Sequence, residues 1–164
     1  MRYWHCLLAA LGLFCLQSSA AEIIRVGGYP FSPFVTKQQM RYQGFSIQLL
    51  DALNQLQDRY QFQFTPTYPG TRHLGFQHHR FDMIFFENPA WGWQSQVIDF
   101  IPFNLEDGDV MIALAQPGRG NEFFSHLEEK SLIAVENYHY GFANMNSQAI
   151  ELKKQFKLLL VKDN

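Results

Sequence analysis

Between Glu87 and Gln94 the chain places a carboxylate, two amides and two tryptophans in the segment ENPAWGWQ. A carboxylate beside two indole rings suits a cation, because negative charge and the face of an aromatic ring attract the same partner. The cluster follows an apolar run, Met83-Ile84-Phe85-Phe86, with the length and aromatic content of a buried strand. In an open α/β sheet ligands are met beyond the carboxyl ends of the strands, so this position marks a binding loop. Two other strand ends carry comparable groups. Phe31 and Phe34 follow the run Glu22 to Gly28 and offer stacking faces, while Arg72 follows the run Tyr60 to Thr67 and can hold an anion. The candidate ligand-binding set is therefore Phe31, Phe34, Arg72, Glu87, Asn88, Trp91 and Gln94. Trp91 and Trp93 around Glu87 are the expected cage. His73, His78 and His79 lack a cysteine or carboxylate at ligand spacing and read as exposed helix residues, not a metal site. Asp82 and Asp99 read as structural. No Ser-His-Asp arrangement, phosphate-cradling loop or paired catalytic carboxylates follow from the spacing, so the expectation is a protein that binds without catalysing, with no cofactor and no metal.

The elements that must position these residues alternate in type. EIIRVGG is a short β-prone run that ends in paired glycines and leads into the turn-rich Tyr29-Pro30-Phe31-Ser32-Pro33-Phe34. Gly44 precedes an apolar stripe of Phe45, Ile47, Leu49, Leu50, Leu53 and Leu56, which predicts a helix from Phe45 to Asp58. YQFQFTPT alternates as a half-buried strand, Pro69-Gly70 punctuates, and Thr71 can cap a short helix to His79. The organising strand then opens at Phe81. Strand, helix, strand, helix, strand is the pattern of a layered α/β unit with a mainly parallel sheet. Beyond Phe100 the sequence predicts an extended connector from Ile101 to Asp109 and a strand at Val110 to Ala115. A helix at Phe123 to Glu129, a strand at Leu132 to Val135, a helix at Ser147 to Phe156 and a strand at Leu158 to Val161 complete the series. This second series is too short to close a core of its own, and it predicts a truncated second lobe with an uncovered sheet edge.

Composition narrows the functional classes. The chain has 164 residues, 47% of them hydrophobic, which supports a globular domain of one or two small lobes. With 13 basic and 15 acidic residues it has no footprint for nucleic acid or an anionic membrane. Sixteen phenylalanines exceed what packing alone asks for and are consistent with a pocket that stacks on its ligand. Met1 to Ala21 reads as an export signal: Arg2 supplies the charge, Leu7 to Leu16 the apolar core, and Gln17 to Ala21 the small-residue cleavage region. Both cysteines, Cys6 and Cys15, lie inside it, so the mature chain is expected to have no disulfide or thiolate. No stretch is long enough to span a bilayer, and the expected product is periplasmic and not membrane-inserted. Residues 22–105 form the expected first lobe, and 106–164 a hinge and partial second lobe.

Taken in order, Ile24-Arg25-Val26-Gly27, Pro33-Phe34, Gly44-Phe45, Arg80-Phe81-Asp82 and Val97-Ile98-Asp99-Phe100 resemble the landmarks of the family 3 periplasmic solute-binding proteins that serve polar amino acid uptake. The resemblance covers Glu22 to Asn164, clearly in the first lobe and weakly in the second. It implies a periplasmic-binding-protein type II-like fold, two α/β lobes enclosing a ligand, and delivery of a small polar solute to an ABC transporter permease. Phe31 matches the aromatic that stacks over the ligand. Gln94 falls where amino acid binders carry a carboxylate-binding arginine, and glutamine lacks that charged fork. The family's Gly-Thr segment of the second lobe corresponds to Asn137-Tyr138-His139. The expected solute is an amino acid or a related compound, bound without the arginine contact that the carboxylate of an ordinary α-amino acid receives in this family. A solute-sensing module and a binding module attached to a cell-wall enzyme are the alternative functions.

Overall fold

The first strand, β1 (Glu22–Gly28), is the middle of a three-stranded parallel sheet, flanked by β4 (Tyr60–Pro66) and β5 (Met83–Ile84). The computed structural model describes residues 20–104 and 108–162, so the export signal, apart from its last two residues, lies outside the described part. Register runs from Glu22 opposite Tyr60 to Gly28 opposite Pro66, and Val26 and Gly27 pair Met83 and Ile84 on the other side. The paired glycines of β1 are there for space. A Cβ on Gly27 would stand 2.7 Å from the ring of Phe81, and one on Gly28 would stand 2.6 Å from that of Phe64. Val26, Phe81 and Leu50 are buried and form the heart of this layer.

Helix α1 (Phe45–Leu56) connects to β4 and packs against it, as the apolar stripe predicts, with Ser46 and Leu50 buried. Gly44 enters the helix at φ 117°, a backbone conformation that disfavours any side chain, and the carbonyls of Pro33 and Phe34 accept from the first helical N–H groups, Phe45 (3.2 Å) and Ser46 (2.9 Å). The helix also covers the free edge of β4. Asn54 accepts from the Phe62 N–H at 2.7 Å and donates to its carbonyl at 2.9 Å, and Gln57 does the same for Tyr60 at 2.7 and 2.8 Å. Two side-chain amides thereby stand in for a further strand and block edge pairing. Helix α2 (Arg72–Gln77) then leads from β4 to β5.

Three expectations are corrected here. A hairpin unforeseen in the sequence, β2 (Thr36–Gln38) with β3 (Arg41–Gln43), lies between β1 and α1 in chain order. The organising strand stops at Ile84 instead of running through Phe86, and Phe86 takes φ 57°, a left-handed conformation that a strand does not hold. The predicted strand from Val110 to Ala115 does not form: no neighbouring edge accepts its hydrogen bonds, and Val110, Ile112 and Leu114 stand 84%, 90% and 83% exposed. Val97 and Phe100 are exposed as well, outside any strand. The helix expected at Phe123 to Glu129 is instead two 3-10 turns, Asn121–Phe124 and Leu127–Glu129.

The second part holds β6 (Ser131–Val135), α3 (Ala149–Gln155) and β7 (Lys157–Val161), close to the sequence reading. Its two strands are parallel, Ser131 opposite Lys157 and Val135 opposite Val161. Leu152 of α3 is buried, whereas Ile133 and Leu159, paired in register, are exposed on the sheet. The chain is thus a mixed α/β protein with small parallel sheets, and among the described residues no helix is long and apolar enough to cross a membrane.

Candidate functional site

Sheet order β4-β1-β5 means that the chain crosses from one flank of β1 to the other, and ligand crevices form outside the carboxyl ends at such a reversal. Four loops meet there: Tyr29–Phe34 after β1, Thr67–Thr71 after β4, Phe85–Gly92 after β5, and Glu136–Tyr140 after β6. Arg72 is the hub. The first residue of α2, it is only 2% exposed, and every contact of its guanidinium is to a named acceptor. Its Nε donates to Glu87 Oε2 at 2.9 Å, Nη1 donates to the Pro69 carbonyl, and Nη2 donates to the Trp91 carbonyl at 3.0 Å. The same Nη2 lies 3.5 Å from Nδ1 of His139, which comes from the second part of the chain. The guanidinium also lies 5.5 Å from the centre of the Tyr29 ring.

Glu87 has no free charge to offer a cation. Besides Arg72 it accepts from the Tyr29 hydroxyl at 2.6 Å and from Trp93 Nε1 at 2.6 Å, and its side chain is 8% exposed. A carboxylate taken out of water needs such partners, and short charge-assisted bonds are how they compensate it. The expected cage is therefore not assembled: Trp93 is buried at 3% exposure and donates its N–H to Glu87, packed against Phe76 and His73. Burial and the Glu87 charge beside it push the Tyr29 hydroxyl far up. Among the described residues no buried side-chain polar atom lacks a partner.

A cavity of about 220 Å³ opens beside this ion pair. Arg72, His73, Gly70 and Gly92 line it from the first part, and Asn137, His139, Ser147 and Gln148 from the second. The two glycines let the parts approach. A Cβ on Gly70 would stand 3.1 Å from the Asn137 amide, and one on Gly92 (φ 88°) would stand 3.0 Å from the His73 ring and 3.6 Å from His139 Nε2. His73 donates through Nε2 to the Trp91 carbonyl at 2.9 Å, so that carbonyl gathers both His73 and Arg72. Arg72 can only donate, which makes His139 Nδ1 an acceptor and puts the proton of the neutral ring on Nε2. Burial, then the Arg72 charge and His73, bring His139 down to about 4. Burial and Arg72 also hold His73 below the ordinary imidazole value.

The structure brings some of the expected site residues together and leaves others apart. Arg72 lines the cavity and Glu87 backs it. Trp91 contributes its carbonyl. Phe31 does not line the cavity; its ring stacks on Phe34 (5.4 Å between centres) and meets Trp91 and Tyr138 edge-on at 6.2 and 5.5 Å. Phe34 in turn packs on Phe86 at 4.4 Å and Phe45 at 6.2 Å. This aromatic cluster, with the Tyr138 hydroxyl donating to the Pro30 carbonyl at 3.2 Å, ties the two parts together. Asn88 is exposed and accepts from the Ala90 N–H at 2.9 Å, a local turn contact, and Gln94 is exposed. Neither lines the cavity. His78 and His79 are exposed, as expected, but His73 is half-buried within the site. Asp82 is structural as read: it accepts from the Arg25 backbone N–H at 2.8 Å and pairs with its guanidinium at 2.6 Å across β1 and β5. Among the described residues no group of three or more His, Cys, Asp or Glu could hold a metal ion. Neither a family model, nor a curated protein, nor a solved structure matches this chain.

Proposed function

We propose that the chain is a non-enzymatic binding protein for a small polar solute, built on the plan of a two-lobed periplasmic binding protein. In this reading it is exported and hands its ligand to a membrane transporter of the ABC type. The observation that carries it is the cavity itself: loops from the carboxyl ends of β4, β5 and β6, with Ser147 and Gln148 before α3, converge on one polar space between the two parts of the chain. Its lining is polar and hydrogen-bonding, with the Arg72 guanidinium in the wall and its partner Glu87 behind it, which fits recognition of a solute through polar contacts. At about 220 Å³ the cavity is smaller than an ordinary ligand pocket and suits only a small compound. Few bonds join the two parts, chiefly Tyr138 to Pro30 and Arg72 to His139, which suits lobes that open to admit a ligand and close on it. A thermal-shift screen of amino acids, polyamines and organic acids tests the proposal. A compound that binds only the folded state must raise the melting temperature, by an amount that grows with its concentration. The expected hit loses its effect when Ser147→Tyr fills the cavity; a hit indifferent to that change, or none from the whole screen, refutes the reading.

A further inference from the structure

We infer that the cavity between Arg72, His73 and His139 takes a small oxyanion, a carboxylate or a tetrahedral anion, that carries no ammonium group. The inference rests on the solute-binding reading and adds the ligand's charge. Three features of the wall support it. No aspartate or glutamate lines the cavity, so an ammonium would meet no opposite charge there. Glu87, the nearest carboxylate to Arg72, stands behind it with both oxygens engaged by Tyr29, Trp93 and Arg72 itself. The side chains that do line the space include one guanidinium and two imidazoles, with Ser147 and the amides of Asn137 and Gln148 as further donors.

Without an anion this arrangement is self-limiting. Arg72 faces His139 from α2 and His73 stands next in the same helix, so protonating either ring sets positive charge against positive charge. The other ionisable groups around Arg72 relieve this only in part. Tyr29 and Tyr138 are both driven up, Tyr138 to about 12, and stay neutral, while the Glu87 charge favours a proton on His73 but is outweighed there by burial and Arg72. An anion between the rings reverses the balance, because an opposite charge within a few ångströms favours the protonated imidazole. Binding then takes up a proton. His139 sits near 4 in the unliganded site. If a bound anion restores an ordinary imidazole value, linkage makes the affinity rise about tenfold between pH 7.5 and pH 5.5.

The test is calorimetry on the full chain with sulfate, whose charge is constant over that range, and with propionate, glycerol and 1,4-diaminobutane. Sulfate or propionate is expected to bind, and which of them binds separates the tetrahedral anion from the carboxylate. The affinity is expected to rise about tenfold from pH 7.5 to 5.5, the figure that linkage gives for one imidazole. His139→Gln should flatten most of that rise, and Ser147→Tyr, or Gln148→Trp should the first not fold, should abolish binding. Anion binding that is flat in pH overturns the inference. Binding of glycerol or 1,4-diaminobutane alone, sensitive to Ser147→Tyr, overturns the oxyanion while leaving the solute-binding cavity intact. If neither these probes nor any compound of the wider screen responds to the filled cavity, both readings fall.

Discussion

Replacing Glu87 by glutamine keeps the shape of the side chain and removes the charge that Arg72 is buried against. Arg72 is 2% exposed and Glu87 8%, so water screens the pair little and cannot rehydrate the guanidinium left behind. Breaking a buried pair by removing one partner costs about 3–5 kcal/mol, mostly for the orphaned charge. Glutamine also presents an N–H₂ where Tyr29 and Trp93 both donate, at 2.6 Å each, so at least one of these donors loses its acceptor. The expected loss in urea unfolding is therefore about 3–5 kcal/mol for Glu87→Gln and a similar amount for Arg72→Met. The double variant should lose less than the sum by at least about 1 kcal/mol, the signature of groups that interact directly. An indifferent Glu87→Gln, costing under about 1 kcal/mol like a surface pair, would refute the argument and return Glu87 to the role of a free ligand contact.

Acidification should weaken the junction between the two parts. His139 is neutral in the folded chain down to about 4 and titrates nearer its ordinary value when exposed, so between roughly 6.5 and 4 the unfolded state binds more protons. Stability is thus expected to be present above that interval and to fall through it as pH drops, and His139→Gln should remove most of the slope in melting temperature. Phe31→Ala should cost about 1–3 kcal/mol of stability through loss of its contacts with Phe34, Trp91 and Tyr138, and should speed amide exchange around Tyr138. Unchanged stability would place Phe31 outside the packing described. Amides of Val110, Ile112 and Leu114 should exchange far faster than those of Val26 and Phe64, which sit in the three-stranded sheet. Equal protection would mean that the predicted strand does form.

The first layer was legible because its signals are local. β1, α1, β4 and α2 fall within a few residues of where β-branched runs, a helical stripe and Pro-Gly punctuation put them. The hairpin at Thr36–Gln43 was not, since TKQQMRYQ is polar but for Met40 and Tyr42 and its turn uses Gln39 at φ 54° instead of a glycine or asparagine. Val110 to Ala115 has the composition of a strand, but a strand requires a neighbour, and composition does not supply one. In the site, proximity to strand ends led to Arg72, Glu87 and Trp91, yet not to the fact that the two charges consume each other. That depends on the left-handed turn at Phe86, which no residue type announces. Tyr29 was passed over beside more conspicuous phenylalanines, and His73 was assigned to the exposed face although its ring sits 4.5 Å from that of Trp93.

That last contact has an optical consequence. An indole excited in the near ultraviolet loses its emission to an imidazolium in contact with it and much less to a neutral imidazole. Trp93 is walled off from solvent and its ring meets His73 at 68°, while burial and Arg72 hold His73 below the ordinary imidazole value. The intrinsic fluorescence of the buried tryptophan is therefore a reporter, requiring no label, of the proton at His73, dimming as that ring becomes charged and so registering from inside the protein what enters the cavity next to it.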